Sequence, residues 1–140
     1  MITVTKELNF EACHMLGNYD GECANLHGHS YKIRVTLSGE NIDNGMIMDF
    51  KQLKSIINLI IPDHRYIFNK NDIIQKNIAD FLIKNNKKVV AYEFETTAEN
   101  MVIYFAKKIQ ELINTQLKSN LIVTKVTLWE TEKNYAEWVI

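Results

Sequence analysis

The sequence predicts an α+β fold in which helices cover one side of a largely antiparallel sheet. Three observations carry that prediction. Hydrophobicity alternates with a period of two at both ends of the chain, and helix-period stripes lie between them. No Pro/Gly/Ser-rich linker interrupts the 140 residues, whose single proline is Pro62. That length suits one domain, residues 1–140, with a core that needs no disulfide staples.

Each element has its own signal. In residues 2–14, Ile2, Val4, Leu8, Phe10, Ala12 and His14 share one parity, with Lys6 the exception, and Thr3, Thr5, Glu7, Asn9 and Glu11 take the other. That is a strand with one buried face. Residues 27–38 repeat the pattern, with His27, His29, Tyr31, Ile33, Val35 and Leu37 against Ser30, Lys32, Arg34, Thr36 and Ser38. The turn formers of "GNYDGECAN" join the two strands. After the turn cluster "GENIDNG", a helical period runs through Phe50, Leu53, Ile57 and Ile60, with Asp49 as N-cap and Pro62 as the stop.

Residues 72–86 carry a weaker helical stripe of Ile74, Ile78, Phe81 and Leu82, and "KKVVAYEFE" reads as a short strand. The strongest helix begins at "TTAEN", where Thr96 and Glu99 fit a capping box. Its stripe is Val102, Phe105, Ile109, Leu112 and Ile113. Residues 121–131 and 134–140 read as two strands about a turn near Glu132-Lys133-Asn134. The expected order is ββααββ, a four-stranded sheet with two main helices on one face and a helix/strand segment inserted at about 70–95. The sheet edges call for partners, and oligomerisation would supply them.

Composition narrows the function. Apolar residues make up 46% and charged residues 24%, the balance of a soluble globular protein. A net charge of −1 with no run of like charge argues against a nucleic-acid surface. The start "MITVTKELNF" lacks an apolar core with a cleavage site, and no segment approaches the ~18 apolar residues of a membrane span. A cytoplasmic protein without a membrane partner is the expectation. Cys13 and Cys23 are then thiols rather than a disulfide.

The chemistry concentrates in "GECANLHGHSY". His27 and His29 lie two apart on a strand, so both imidazoles project to one side, and Gly28 between them allows close approach. His14 closes the first strand on its apolar parity, where it can meet the other two. Three neutral nitrogen donors suit zinc and leave a fourth position open. Hydrogen-bonded strand-end histidines without a metal fit the same spacing. Cys23, in the loop, is a candidate accessible thiol, or alternatively a fourth ligand that would close the site. Cys13 has the opposite parity and reads as a packed small residue. Glu130 extends the apolar parity of Ile122, Val126 and Leu128, which turns a carboxylate inward and leaves it in want of a partner.

Taken in order, "FEACHML", "CANLHGHSYKIRVTL", "GMIMDFKQLK", "PDH", "TTAEN" and "WETEKNYAEW" resemble the motifs of the 6-pyruvoyltetrahydropterin synthase / 6-carboxytetrahydropterin synthase family. The resemblance spans nearly the whole chain, broken only at about 70–95. It implies the tunnelling fold and a homo-oligomer, a hexamer built as a dimer of trimers with active sites where subunits meet. It implies one Zn2+ per subunit on His14, His27 and His29, and 7,8-dihydroneopterin triphosphate as substrate. It also implies a relay of Cys23, Asp63 and His64, a pterin anchor at Glu130 and a pterin contact at Thr97.

The three residues between Cys23 and His27 resemble the queuosine (7-deazaguanine) branch, 6-carboxytetrahydropterin synthase, whereas the 6-pyruvoyl branch has a longer spacer. Glu22 offers the glutamate of a third, folate-linked branch, but Cys23 is retained beside it. The implied reaction is that of a lyase, releasing acetaldehyde and triphosphate. The alternatives are 6-pyruvoyltetrahydropterin formation without carbon–carbon cleavage, and a non-catalytic zinc-stabilised pterin binder. Two features depart from the family: Thr96 replaces a usual proline, and the 34-residue step from Asp63 to Thr97 is long. Lys32, Arg34 and Arg65 are candidate contacts for the triphosphate.

Overall fold

The computed structural model describes residues 1–40, 42–117 and 119–140. Its strands are β1 (Ile2–His14), β2 (His27–Gly39), β3 (Arg65–Asn69), β4 (Val89–Tyr92), β5 (Ile122–Trp129) and β6 (Tyr135–Val139), and its helices α1 (Phe50–Asn58), α2 (Ile73–Lys84) and α3 (Ala98–Leu112). One mixed sheet runs in the order β4-β3-β1-β2-β5-β6. The α+β class holds, but the sheet has six strands rather than four. β3 and β4 extend it with parallel pairing, so it is antiparallel only from β1 through β6.

β3 escapes a search for alternation because it has none. Ile67 packs into the main core, while Tyr66 and Phe68 pack into a second core on the other side. A strand covered on both faces reads as an unbroken apolar run. The segment from β3 through α2 to β4 is a parallel crossover, which needs a helix-length connection.

The main core lies between the sheet and helices α1 and α3, and contains Phe10, Tyr31, Ile33, Val35, Leu53, Ile57, Phe105 and Leu128. Phe10 and Tyr31 stack with centroids 4.8 Å apart, and Phe105 meets Phe10 edge-on. Helix α2 instead covers the opposite face, where Ala79, Ile78 and Leu82 pack on Tyr66, Phe68 and Cys13. Its buried residues are Gln75 and Ala79, whereas Ile74 and Phe81 are 63% and 67% exposed. The weak stripe therefore marks a helix correctly and its buried face only in part.

The Asp49 carboxylate caps α1 by accepting the Lys51 N–H at 2.8 Å, and the helix ends at Asn58, ahead of Pro62. Helix α3 is capped by Thr97 rather than Thr96, the Thr97 hydroxyl accepting the Asn100 N–H, and it runs on into a π-helical turn at Ile113–Leu117. In the 39–45 turn cluster, Asp43 and Met46 exchange backbone hydrogen bonds around Gly45 at φ +80, and Asn41 lies outside the described residues. No helix among the described residues is long and apolar enough to cross a membrane.

Candidate metal centre and its surroundings

The β1–β2 register places His14 directly opposite His27, and Ala12 opposite His29. Neighbouring strands and the two-residue period then bring three imidazoles together on the core side of the sheet. Their ring centroids are 4.7, 4.8 and 5.2 Å apart, and one ligand atom from each lies within 4.8 Å of the others.

Hydrogen bonds fix which nitrogen faces inward. Nδ1 of His14 donates to the carbonyl oxygen and hydroxyl of Thr96, both at 3.0 Å, and Nδ1 of His27 donates to the Asn25 carbonyl at 2.7 Å. A carbonyl only accepts, so the proton sits on Nδ1 and the Nε2 lone pair is free. Nε2 of His27 and of His29 is buried with no partner among the described residues. His27 Nε2 is thus an orphaned acceptor, and it and the unpartnered His29 Nε2 beside it need a cation or a hydrogen-bond partner to offset their burial. Burial first, then the neighbouring imidazoles, pushes the His14 pKa down to about 4, and burial likewise lowers that of His29. Both are held neutral, as metal ligands must be. The residues present fit a metal ion.

Cys23 lies in a 3₁₀ turn, Glu22–Ala24, and is half-buried; its carbonyl accepts the Leu16 N–H at 2.9 Å, folding the loop back on the end of β1. Its sulfur does not join the three-histidine group. Glu130 follows β5, half-buried, with its pKa raised by burial and by Glu99 and lowered by His27. Burial raises the Tyr31 hydroxyl pKa, with Glu130 adding to the effect, and that hydroxyl lies 3.5 Å from Nε2 of His14. Glu130 thus belongs to the surroundings of the trio.

Asp63 and His64 make no hydrogen bond to the trio among the described residues. Asp63 accepts the Glu11 N–H at 2.9 Å and Nδ1–H of His64 at 3.0 Å, and the His64 N–H donates to the Glu11 carbonyl at 2.6 Å. The Glu11 N–H, then His64, hold the Asp63 carboxyl below its usual range. The pair sits at the β1–β3 seam, and His64 lines a cleft with Glu11, Cys13 and Ser30 that His29 of the trio also lines. His64 adopts φ +57, a left-handed backbone that a non-glycine residue rarely takes.

Three supporting residues were missed from sequence. Thr96, fully buried, offers both its carbonyl oxygen and its hydroxyl to His14. Glu95 accepts the Gly17 N–H at 2.9 Å, the Asn69 amide at 3.0 Å and the Gln75 amide at 3.2 Å. One carboxylate thus ties the loop after β1, the end of β3 and helix α2 together, immediately before Thr96. Gly17 is needed there, since a Cβ would collide with Asp72 and Glu95. Gln75, buried on α2, is the third; nothing in a local pattern marks these residues, because their partners are distant in sequence.

The chain matches the model of the 6-pyruvoyl tetrahydropterin synthase family over residues 3–139. It is 33% identical to the 6-carboxy-5,6,7,8-tetrahydropterin synthase of Haemophilus influenzae, with 99% of each chain covered. It is 34% identical to a putative 6-carboxy-5,6,7,8-tetrahydropterin synthase of Pyrococcus horikoshii, covering 95% of this chain and 85% of that one. The solved structure of Caenorhabditis elegans 6-pyruvoyl tetrahydropterin synthase superposes with a TM-score of 0.68 at 27% identity, covering 99% of this chain and 95% of that one. With a tunnelling fold and three histidines gathered at its strand ends, this chain belongs to the 6-pyruvoyl tetrahydropterin synthase family.

Proposed function

We propose that the protein is a zinc-dependent 6-carboxy-5,6,7,8-tetrahydropterin synthase of queuosine (7-deazaguanine) biosynthesis. It would convert 7,8-dihydroneopterin triphosphate to 6-carboxytetrahydropterin, acetaldehyde and triphosphate. The observation that carries the reading is the convergence of three imidazoles, two with Nδ1 tied to a carbonyl and two with an unpartnered Nε2. The three-residue spacer from Cys23 to His27 and the names of the relatives favour the 6-carboxy product.

His14, His27 and His29 hold the ion. A zinc ion held there would supply Lewis-acid stabilisation of negative charge developing on the substrate side chain. Cys23, outside the ligand set, accepts the proton from the hydroxyl-bearing carbon as a thiolate. Asp63 accepts Nδ1–H of His64, which turns Nε2 of that ring outward to exchange protons with substrate. Glu130 accepts the pterin ring N–H and exocyclic amine side by side, which answers the cost of its burial. Thr97, at the start of α3, contacts the pterin. Asp63 and His64 are tied to each other and to the Glu11 backbone and make no hydrogen bond to the trio among the described residues, and they serve a neighbouring subunit's site. That requires a homo-oligomer, taken to be a hexamer of two trimers in the cytoplasm.

Incubating zinc-loaded protein with 7,8-dihydroneopterin triphosphate tests the reading. Acetaldehyde and 6-carboxytetrahydropterin are expected by mass spectrometry. A 6-pyruvoyl product without acetaldehyde would assign the sister reaction instead. No turnover, with zinc lost on Cys23→Ala, would make the site structural.

A further inference from the structure

Beside His64 a cleft of about 610 Å³ opens on the sheet face away from α1 and α3. It runs from Gly28 at the strand end to a rim made by His64, Arg65, Lys87 and Lys88. Glu11 is the one acid in its lining, against three permanent cations, and that carboxylate already accepts the Ser30 hydroxyl at 2.7 Å. Lys87 and Lys88 have no carboxylate within ion-pair distance among the described residues. Arg65 spends one guanidinium nitrogen on the Asp63 carbonyl at 2.9 Å, which fixes the side chain and leaves its other N–H groups to the cleft.

The two lysines stand on ordered backbone. The Lys87 N–H donates to the Leu82 carbonyl at 2.9 Å, closing the end of α2 past Asn86 at φ +60, and the Lys88 carbonyl accepts the Tyr66 N–H at 3.4 Å. Cations gathered in a concave, partly apolar site without counter-charges focus a positive potential suited to a small polyanion. An arginine fork with flanking ammonium groups is the donor set that phosphate oxygens take.

We propose that this cleft is a polyphosphate site, and that Lys87 and Lys88 at the α2–β4 connection determine its affinity for the triphosphate of the substrate. The proposal rests on the reading above, in which His64 exchanges protons with the substrate side chain. That side chain carries the triphosphate, so the anion must lie within a few bonds of His64, and His64 forms part of the cleft rim. The α2–β4 connection then has a task, to bring two ammonium groups to the leaving group.

Inorganic triphosphate, titrated calorimetrically into the intact zinc-loaded protein, is the probe. The wild type should bind it with an affinity that falls as salt rises. Lys87→Ala/Lys88→Ala should weaken binding about tenfold or more and raise KM for dihydroneopterin triphosphate comparably, with zinc content and kcat little changed. Lys51→Ala/Lys54→Ala, on the exposed side of α1, should alter neither. Equal triphosphate affinity in the wild type and the Lys87/Lys88 variant overturns the proposal, as does an equal loss in the α1 control. Lysine-dependent triphosphate binding without any turnover keeps the cleft and removes the enzyme reading. Turnover with an unchanged KM in the variant does the reverse.

Discussion

The two histidine clusters of this chain are built to opposite plans. His14, His27 and His29 sit on the covered side of the sheet, and Thr96 and Asn25 fix the rings of His14 and His27. The Asp63–His64 pair lies at the β1–β3 seam, with side chains 47% and 75% exposed. The three imidazoles converge within one chain, and two of them are aimed by backbone carbonyls. The acid–base pair is aimed but not enclosed, and in water its hydrogen bond counts for little. The difference teaches that the chain carries one enclosed histidine cluster and one open to solvent, and under the proposed function a second subunit would complete the open one.

The largest effects should come from breaking the enclosed cluster. His29→Ala should take bound zinc from about one per chain to near none by elemental analysis, and turnover with it. His64→Ala and Cys23→Ala should instead keep zinc and lower kcat by about 10²–10⁴-fold, the usual span for a proton-transfer group. Loss of zinc in either would erase the contrast between the clusters. Glu95→Gln sharpens it one step further out. An amide cannot accept from Gly17, Asn69 and Gln75 together, so zinc affinity in a competition titration should fall about 10–100-fold, and the visible spectrum of the Co2+ form should shift.

The smallest effect concerns Glu130. Burial raises its folded pKa, so the folded state holds the proton more tightly than the unfolded chain. Stability is therefore lost as pH rises from the ordinary glutamate value through the raised one, and the penalty is full above it. Glu130→Gln should raise Tm by about 3 °C at pH 8, with the gain shrinking as pH falls toward the ordinary glutamate range, while pterin binding is lost. A gain that stays constant with pH would remove the buried charge as its cause.

Local patterns made the ends of the chain legible and left the middle obscure. β1, β2, α3 and the β5–β6 hairpin each bury one face, and one-sided burial writes a period of two or 3.6 into the sequence. The meeting of His14, His27 and His29 was readable for the same reason, since each continues a strand parity. β3 and α2 are different. β3 is covered on both sides, and α2 buries Gln75 while turning Ile74 and Phe81 outward, so neither has a clean period. Thr96 was read as a cap and is a brace for His14, because that contact joins residues 82 apart in sequence. On which side of the sheet Asp63 and His64 would lie depends on β3 pairing with β1, and two register pairs in a short strand leave no local trace.

The crossover from β3 through α2 to β4 enters and leaves at one margin of the sheet, beyond the antiparallel strands. Lengthening or trimming it would leave the β1–β2–β5–β6 register intact, and loop closure grows only slowly with added residues. Here, then, is the part of the molecule whose length can change at least cost to the rest, because the long antiparallel ladders do not pass through it and its helix packs outside the main core.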